Sequence, residues 1–124
     1  MHTRYDPEGD IFTVFFQDAR NARIAGLELN PSVVLYFDTE TVQPIEIIFI
    51  DYSRLLAAQA AGHDGPLTLL ALSNLTAEEQ ATIIQVLKAA PVRKFLELQP
   101  GSPPSIRLNP SKAPRTLQQM PAVT

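Results

Sequence analysis

Between Ile11 and Ile50 the chain alternates short β-branched and aromatic runs with turns too short to hold a crossover helix. No other feature constrains its fold as tightly. Ile11-Phe12-Thr13-Val14-Phe15-Phe16 shows the two-residue alternation of a strand. Arg23 to Leu29 alternates more loosely through Ile24, Leu27 and Leu29. Asn30-Pro31-Ser32 punctuates, Val33 to Phe37 forms a further run, Asp38-Thr39-Glu40-Thr41 turns, and Ile45 to Ile50 closes the set. Parallel pairing needs a crossover of a dozen or more residues, so these connections join antiparallel neighbours. The expected fold is α+β: an antiparallel β-meander of about five strands over residues 2–50, packed by C-terminal α-helices, with an extended Pro-rich tail.

The strands are apolar on both sides. Ile11 and Phe15 oppose Phe12, Val14 and Phe16, and both Val33-Val34-Leu35-Tyr36-Phe37 and Ile47-Ile48-Phe49-Ile50 lack polar alternation. A sheet with one solvated face alternates polar and apolar residues, so both faces here need cover. The helices of the second half can cover one. A second copy of the chain is the most economical cover for the other, which makes a homodimer the expected partner state.

The second half reads as helical. Asp51-Tyr52-Ser53 offers a cap for a helix from Arg54 to Ala61, with Gly62 as its stop. Leu67 to Leu72, after Pro66, is ambiguous between strand and helix, and helix is preferred. Thr76-Ala77-Glu78-Glu79 spells a capping box, and Ile83, Val86, Leu87 and Ala90 form the apolar stripe of the helix it opens. Pro91 ends or kinks that helix, and one or two more turns follow through Leu96.

Charge divides the chain unevenly. Of its 124 residues, ten are basic and thirteen acidic; three of the basic and none of the acidic fall at or after Leu98, so the tail carries +3 and the rest −6. Pro100, Pro103, Pro104, Pro110, Pro114 and Pro121 forbid a continuous helix or a central strand there. Residues 1–97 therefore form the expected single domain. Residues 98–124 form an extended or disordered arm, either solvated or laid on an acidic surface of its own or of a protein partner through Arg107, Lys112 and Arg115.

Three carboxylates crowd Asp6-Pro7-Glu8-Gly9-Asp10. A helix–loop–helix calcium site needs glycine at the sixth position and glutamate at the twelfth; here glycine is fourth and Gln17 twelfth. A turn accounts for every residue: Asp6 and Pro7 begin it, Gly9 supplies an unusual φ, and Asp10 hands over to the strand.

With that turn in place, Tyr5-Asp6-Pro7-Glu8-Gly9-Asp10, Val33-Val34-Leu35-Tyr36-Phe37-Asp38 and Ile45-Glu46-Ile47 followed by Ile50-Asp51-Tyr52-Ser53 resemble, in order, the signatures of a small prokaryotic family catalogued as domain of unknown function 2283. The resemblance covers about residues 3–56. It departs at Asp38 to Pro44, where the family usually carries Asp-x-x-Gly, and at Tyr52, where the family has a small residue. It implies a compact meander with a following helix, often self-associating, with no established activity, and some members are similar to antitoxin partners in toxin–antitoxin gene pairs. No catalytic residues carry over.

Other sites are thin. There is no cysteine, which removes disulfides, thiolate metal sites and a cysteine nucleophile. The net charge of −3 argues against a nucleic-acid surface. The N-terminus lacks the apolar core of a signal peptide, and no apolar run approaches the ~20 residues that span a bilayer, so the expectation is a cytoplasmic protein with no membrane contact. His63-Asp64 reads as a solvated turn, and neither zinc spacing nor a phosphate-cradling glycine motif occurs. Glu46 stands alone between Ile45 and Ile47 and is expected to face water or to pair with Arg4 or Arg23. The functional expectation is a non-enzymatic interaction protein without metal or cofactor. The alternative is a small-molecule module with an apolar pocket lined by Phe12, Phe16, Phe37 and Phe49. An enzyme would require Glu46, Asp51 and His63 to converge in a cleft.

Overall fold

Polarity along the strands sorts them within the sheet. In the computed structural model, which describes residues 1–63 and 65–118, strands β1 (His2–Asp6), β2 (Ile11–Phe15), β3 (Ile24–Asn30), β4 (Val33–Asp38) and β5 (Gln43–Ile50) form one antiparallel sheet in the order β1-β2-β5-β4-β3. The longest strand, β5, with Ile45 and the run Ile47-Ile48-Phe49-Ile50, lies at the centre. The polar β1 takes one edge, and β3, which carries Gly26 and Glu28, takes the other, where unpaired backbone can meet water. The five-stranded antiparallel sheet and the α+β class are as the sequence predicts. The order is not that of a simple meander, because β2 and β3 are separated by β5 and β4 and joined by the polar segment 16–23.

One face of the sheet forms the core. Phe12, Val14, Val33, Leu35, Ile47 and Phe49 point inward and are buried. They meet a second layer of helices α1 (Tyr52–Ala60) and α2 (Ala77–Leu87), 3-10 turns at Gly65–Leu67, Leu70–Asn74 and Val92–Lys94, and a hairpin of β6 (Leu96–Gln99) and β7 (Ser105–Leu108). Aromatic rings knit the layers together. Phe12 lies 6.2 Å from Phe49, 4.7 Å from Tyr52 and 6.2 Å from Phe95 between centroids. Leu67 to Leu72 is helical only in part and not as one continuous helix. Two 3-10 turns flank a single bridge from Thr68 to Ser105, because Leu67, Leu69 and Leu72 must all reach the core.

Helix ends follow local chemistry where the partners are near in sequence. The capping box forms: Thr76 Oγ1 accepts from the Glu79 N–H at 3.1 Å, and Glu79 Oε1 accepts from the Thr76 N–H at 2.9 Å. The Glu79 carboxyl is held below the ordinary range by those bonds to Thr76. The stripe closes with Leu87; Ala90 lies past the helix end and is exposed. α1 stops at Gly62, whose φ of 78° lets the His63 N–H reach the Ala58 carbonyl at 2.8 Å.

The C-terminal segment departs from the expected arm. Its backbone is extended, as the prolines require, but the expected boundary at residue 97 falls inside β6. Ile106, Leu108 and Ala113 are buried in the common core. The outer edge of β7 is closed by a side chain: Gln59 Nε2 donates to the Leu108 carbonyl at 2.8 Å, and its Oε1 accepts from the Leu108 N–H at 2.6 Å. Asn109 adds a bond from its N–H to the Phe95 carbonyl at 2.9 Å. A short 3-10 turn at Pro110–Lys112 leads to α3 (Arg115–Gln118). The arm reading of residues 119–124 lies outside the described residues.

Candidate functional site

Opposite faces of the sheet have opposite fates. Register places Ile11, Thr13 and Phe15 of β2, Ile48 and Ile50 of β5, and Val34 and Tyr36 of β4 on the outer face. None of these seven side chains is among those packed against the described core, and all are partly exposed. Glu46 interrupts this apolar field between Phe15 and Tyr36. Burial pushes its carboxyl above the ordinary range, and the charge of Arg4, on the same face of β1, offsets this in part. Of the two partners expected for Glu46, Arg4 is therefore the one nearby; Arg23 pairs instead with Glu40 at 3.1 Å. His2 stacks on Phe15 with centroids 4.4 Å apart. An apolar field with charged groups at its margin is the kind of surface that accepts another surface.

The aromatic quartet of the pocket reading is not a pocket. Phe12, Phe37 and Phe49 are buried on the inner face and packed into the core, and Phe16 turns inward against Phe95 at 6.1 Å. Phe37 borders a space of about 290 Å³ between the β3 edge and α2, together with Leu27, Thr82 and Ile83. Phe12 and Phe49 fill the core between sheet and helices.

The Asp6–Asp10 turn holds a feature that composition did not signal. Asp6 Oδ1 accepts from the Glu8 N–H at 3.1 Å, as an Asp-initiated turn requires. Gly9, however, does not take the unusual φ; Asp10 does, at 53°. A Cβ at position 9 would sit 2.9 Å from Asp6 Oδ2, the end of an exposed side chain that can swing aside. The left-handed turn at Asp10 aims its carboxylate at the start of α1. It accepts from the Tyr5 hydroxyl at 2.7 Å, the Ser53 N–H at 3.0 Å and the Ser53 hydroxyl at 2.6 Å. Within the expected Asp51-Tyr52-Ser53 cap, Asp51 takes the N-cap position at φ 56° but makes no side-chain cap bond. The true cap comes from 43 residues upstream.

Electrostatics at this junction are consistent with its geometry. Burial alone would raise the Asp10 carboxyl, but donors from Ser53, Tyr5 and the Arg54 backbone outweigh it and hold the pKa below the ordinary aspartate value. Tyr5 is pushed up to about 12, first by burial and then by its bond to Asp10 and the charges of Asp10 and Asp6. The Tyr5–Asp10–Ser53 cluster joins the β1–β2 turn to the first turn of α1.

The remaining candidates are dispersed. Glu46 lies on the outer face, Asp51 at the start of α1 and His63, exposed, beyond its end; the nine residues of α1 hold Asp51 and His63 apart by roughly 14 Å. Asp64 lies outside the described residues. Arg107, opposite Glu97 in the β6–β7 register, and Lys112 and Arg115 beyond it are exposed and sit on three separate elements. Among the described residues no group of three or more His, Asp or Glu could hold a metal ion, and no helix is long and apolar enough to cross a membrane. No protein-family model matches the chain, and neither a curated protein nor a solved structure is similar to it.

Proposed function

We propose that this chain is a non-enzymatic interaction protein whose working surface is the outer face of the sheet, and that it self-associates there. The supporting observation is the arrangement of Ile11, Phe15, Val34, Tyr36, Ile48 and Ile50 as one continuous, partly exposed field outside the described core, with the His2 ring over Phe15 at its margin. The resemblance of residues 3–56 to domain of unknown function 2283 points the same way, since members of that family often self-associate.

Strand spacing sets the scale. Five strands about 4.8 Å apart and five residues long give a footprint of about 400 Å². That is roughly half of what a standard stable interface buries per partner, so association is expected in the micromolar range or weaker. Sedimentation equilibrium from micromolar to submillimolar concentration should show a reversible dimer. A chain that stays monomeric throughout would end this reading.

Ile48, at the centre of the field and flanked by Thr13 and Val34, is the position to break. Ile48→Lys is expected to abolish association while costing the fold only about 1 kcal/mol, because the side chain faces outward and loses only cross-strand contacts. An Ile48→Lys variant that melts near the wild-type temperature yet still dimerises would move the interface elsewhere.

A further inference from the structure

Charge is arranged along the outer face with a direction. The register aligns Arg4, Thr13, Ile48, Val34 and Glu28 in a single row across all five strands. The row is cationic at the β1 edge, apolar in the middle and anionic at the β3 edge. Its midpoint, Ile48, lies on β5, the central strand. Arg4 and Glu28 are both exposed, and neither is in an ion pair among the described residues. They stand four strand spacings apart, roughly 19 Å, well beyond the ~8 Å over which exposed charges interact at physiological ionic strength.

A row with opposite ends is self-complementary in only one of the two simple ways that a pair of sheets can stack on a two-fold axis. An axis running across the strands lays each strand over its own copy, so that Arg4 meets Arg4 and Glu28 meets Glu28. An axis running along β5 exchanges the edges, so that β1 of one copy lies over β3 of the other. We propose that two copies of this chain stack their outer faces about a two-fold axis along β5, with Arg4 of each copy set over Glu28 of the other. This rests on the self-association reading above and adds to it the partner, the orientation and the specificity-determining pair. Aligned sheets stack about 10 Å apart, a gap that an arginine and a glutamate reaching toward each other can bridge.

The same axis brings the two Glu46 side chains close, because Glu46 lies on β5 one row from the midpoint. The groups that face Glu46 are Arg4, His2 and the N-terminal Met1 on the β1 side, Phe15 from β2, Asp18 from the segment after β2, Tyr36 from β4 and, across the axis, Glu46 of the second copy. Two carboxylates in that position repel, so association strengthens as pH falls and they take up protons. Glu46→Gln is expected to tighten the dimer at neutral pH and to flatten that dependence.

Charge exchange tests the orientation. Arg4→Glu and Glu28→Arg each place like charges over one another at both ends of the row, and each is expected to weaken self-association by about tenfold. An equimolar mixture of the two restores both opposite-charge contacts and should form the heterodimer with affinity near that of the wild type. Both positions are exposed edge sites, so both variants should fold. A control mixture of Arg54→Glu with Glu97→Arg, exchanged on the other layer, should show no such preference. Since Arg4 and Glu28 are too far apart to interact within one chain, rescue on mixing can arise only between chains. A wild-type dimer indifferent to both substitutions would overturn the orientation and leave the face reading in place; a monomeric wild type would overturn both.

Discussion

Ending the chain at Glu97 is expected to unfold it. Residues past that point resemble a dispensable proline-rich tail, yet Ile106 and Leu108 are 2% and 1% exposed and sit in the same core as Phe12 and Leu69. Removing a buried aliphatic side chain from a packed core costs about 2–5 kcal/mol, and here two go together with Ala113 and the hairpin that carries them. The loss also strands Gln59, whose amide pairs with both backbone groups of Leu108, and Leu69, whose N–H donates to the Pro104 carbonyl at 2.9 Å. The total approaches the whole stability of an ordinary domain, about 5–15 kcal/mol. Far-ultraviolet circular dichroism of the 97-residue variant should show no cooperative melt. Ile106→Ala in the full chain should lose about 3 kcal/mol by urea titration. A truncated chain that melted cooperatively within a few degrees of the full one would refute this account of the C-terminal segment. It follows that a binding assay comparing full and truncated chains reports on folding before it reports on Arg107, Lys112 or Arg115.

Replacing Asp10 should have the next largest effect. Its carboxylate is the one group that ties the β1–β2 turn, the Tyr5 hydroxyl and the first turn of α1 together. Charge-assisted hydrogen bonds contribute about 1.5–3 kcal/mol each when well buried. The site is only partly buried, so Asp10→Ala is expected to cost about 2–3 kcal/mol in all, part of it from placing alanine at a left-handed φ. Asp10→Asn tolerates that φ and keeps an acceptor, and should cost about 1 kcal/mol. Acid should erase the difference. The folded carboxyl titrates below the unfolded one, which lies at about 3.9, so its contribution is complete above that value and is lost as pH falls through the folded pKa. Denaturant midpoints of wild type and Asp10→Asn should therefore converge as pH falls below the unfolded value and through the lower folded one. At the other end, Tyr5 ionises in the folded chain only near about 12, so stability falls as pH rises from the unfolded value of about 10 toward that point, and Tyr5→Phe should remove this loss. An Asp10→Asn variant as stable as wild type at pH 7 would show that the cluster does not hold the junction.

The Asp10 case shows why some of the molecule was legible in the chain and some was not. The Thr76–Glu79 capping box and the Gly62 stop could be read directly, because each involves groups within a few residues, where backbone geometry alone brings them together. The cap of α1 could not. Asp51 stood in the right place by local rules, but the left-handed turns at Asp10 and Asp51 gave that role to a carboxylate on a distant hairpin. A doubled signal was present in Asp10 and Ser53, yet nothing local joins them. The same holds for Asn30, buried between the β3–β4 turn and the 3-10 segment. Its amide donates to the Pro66 and Thr68 carbonyls at 3.2 and 3.1 Å. The outer face was half legible: alternation identified the apolar field, but which residues share a row with Arg4 and Glu28 depends on strand order.

Alternation and turn length between Ile11 and Ile50 determined that four runs would form antiparallel strands, several of them apolar on both faces, because side-chain direction in a strand reverses at every residue regardless of what lies beyond it. Only the tertiary structure decided that β2 pairs with β5, that the proline-rich segment completes the core, and that Arg4 and Glu28 end one row. Those outcomes rest on competition among distant segments for the same apolar surface and backbone partners, and no local stretch of sequence records which competitor wins.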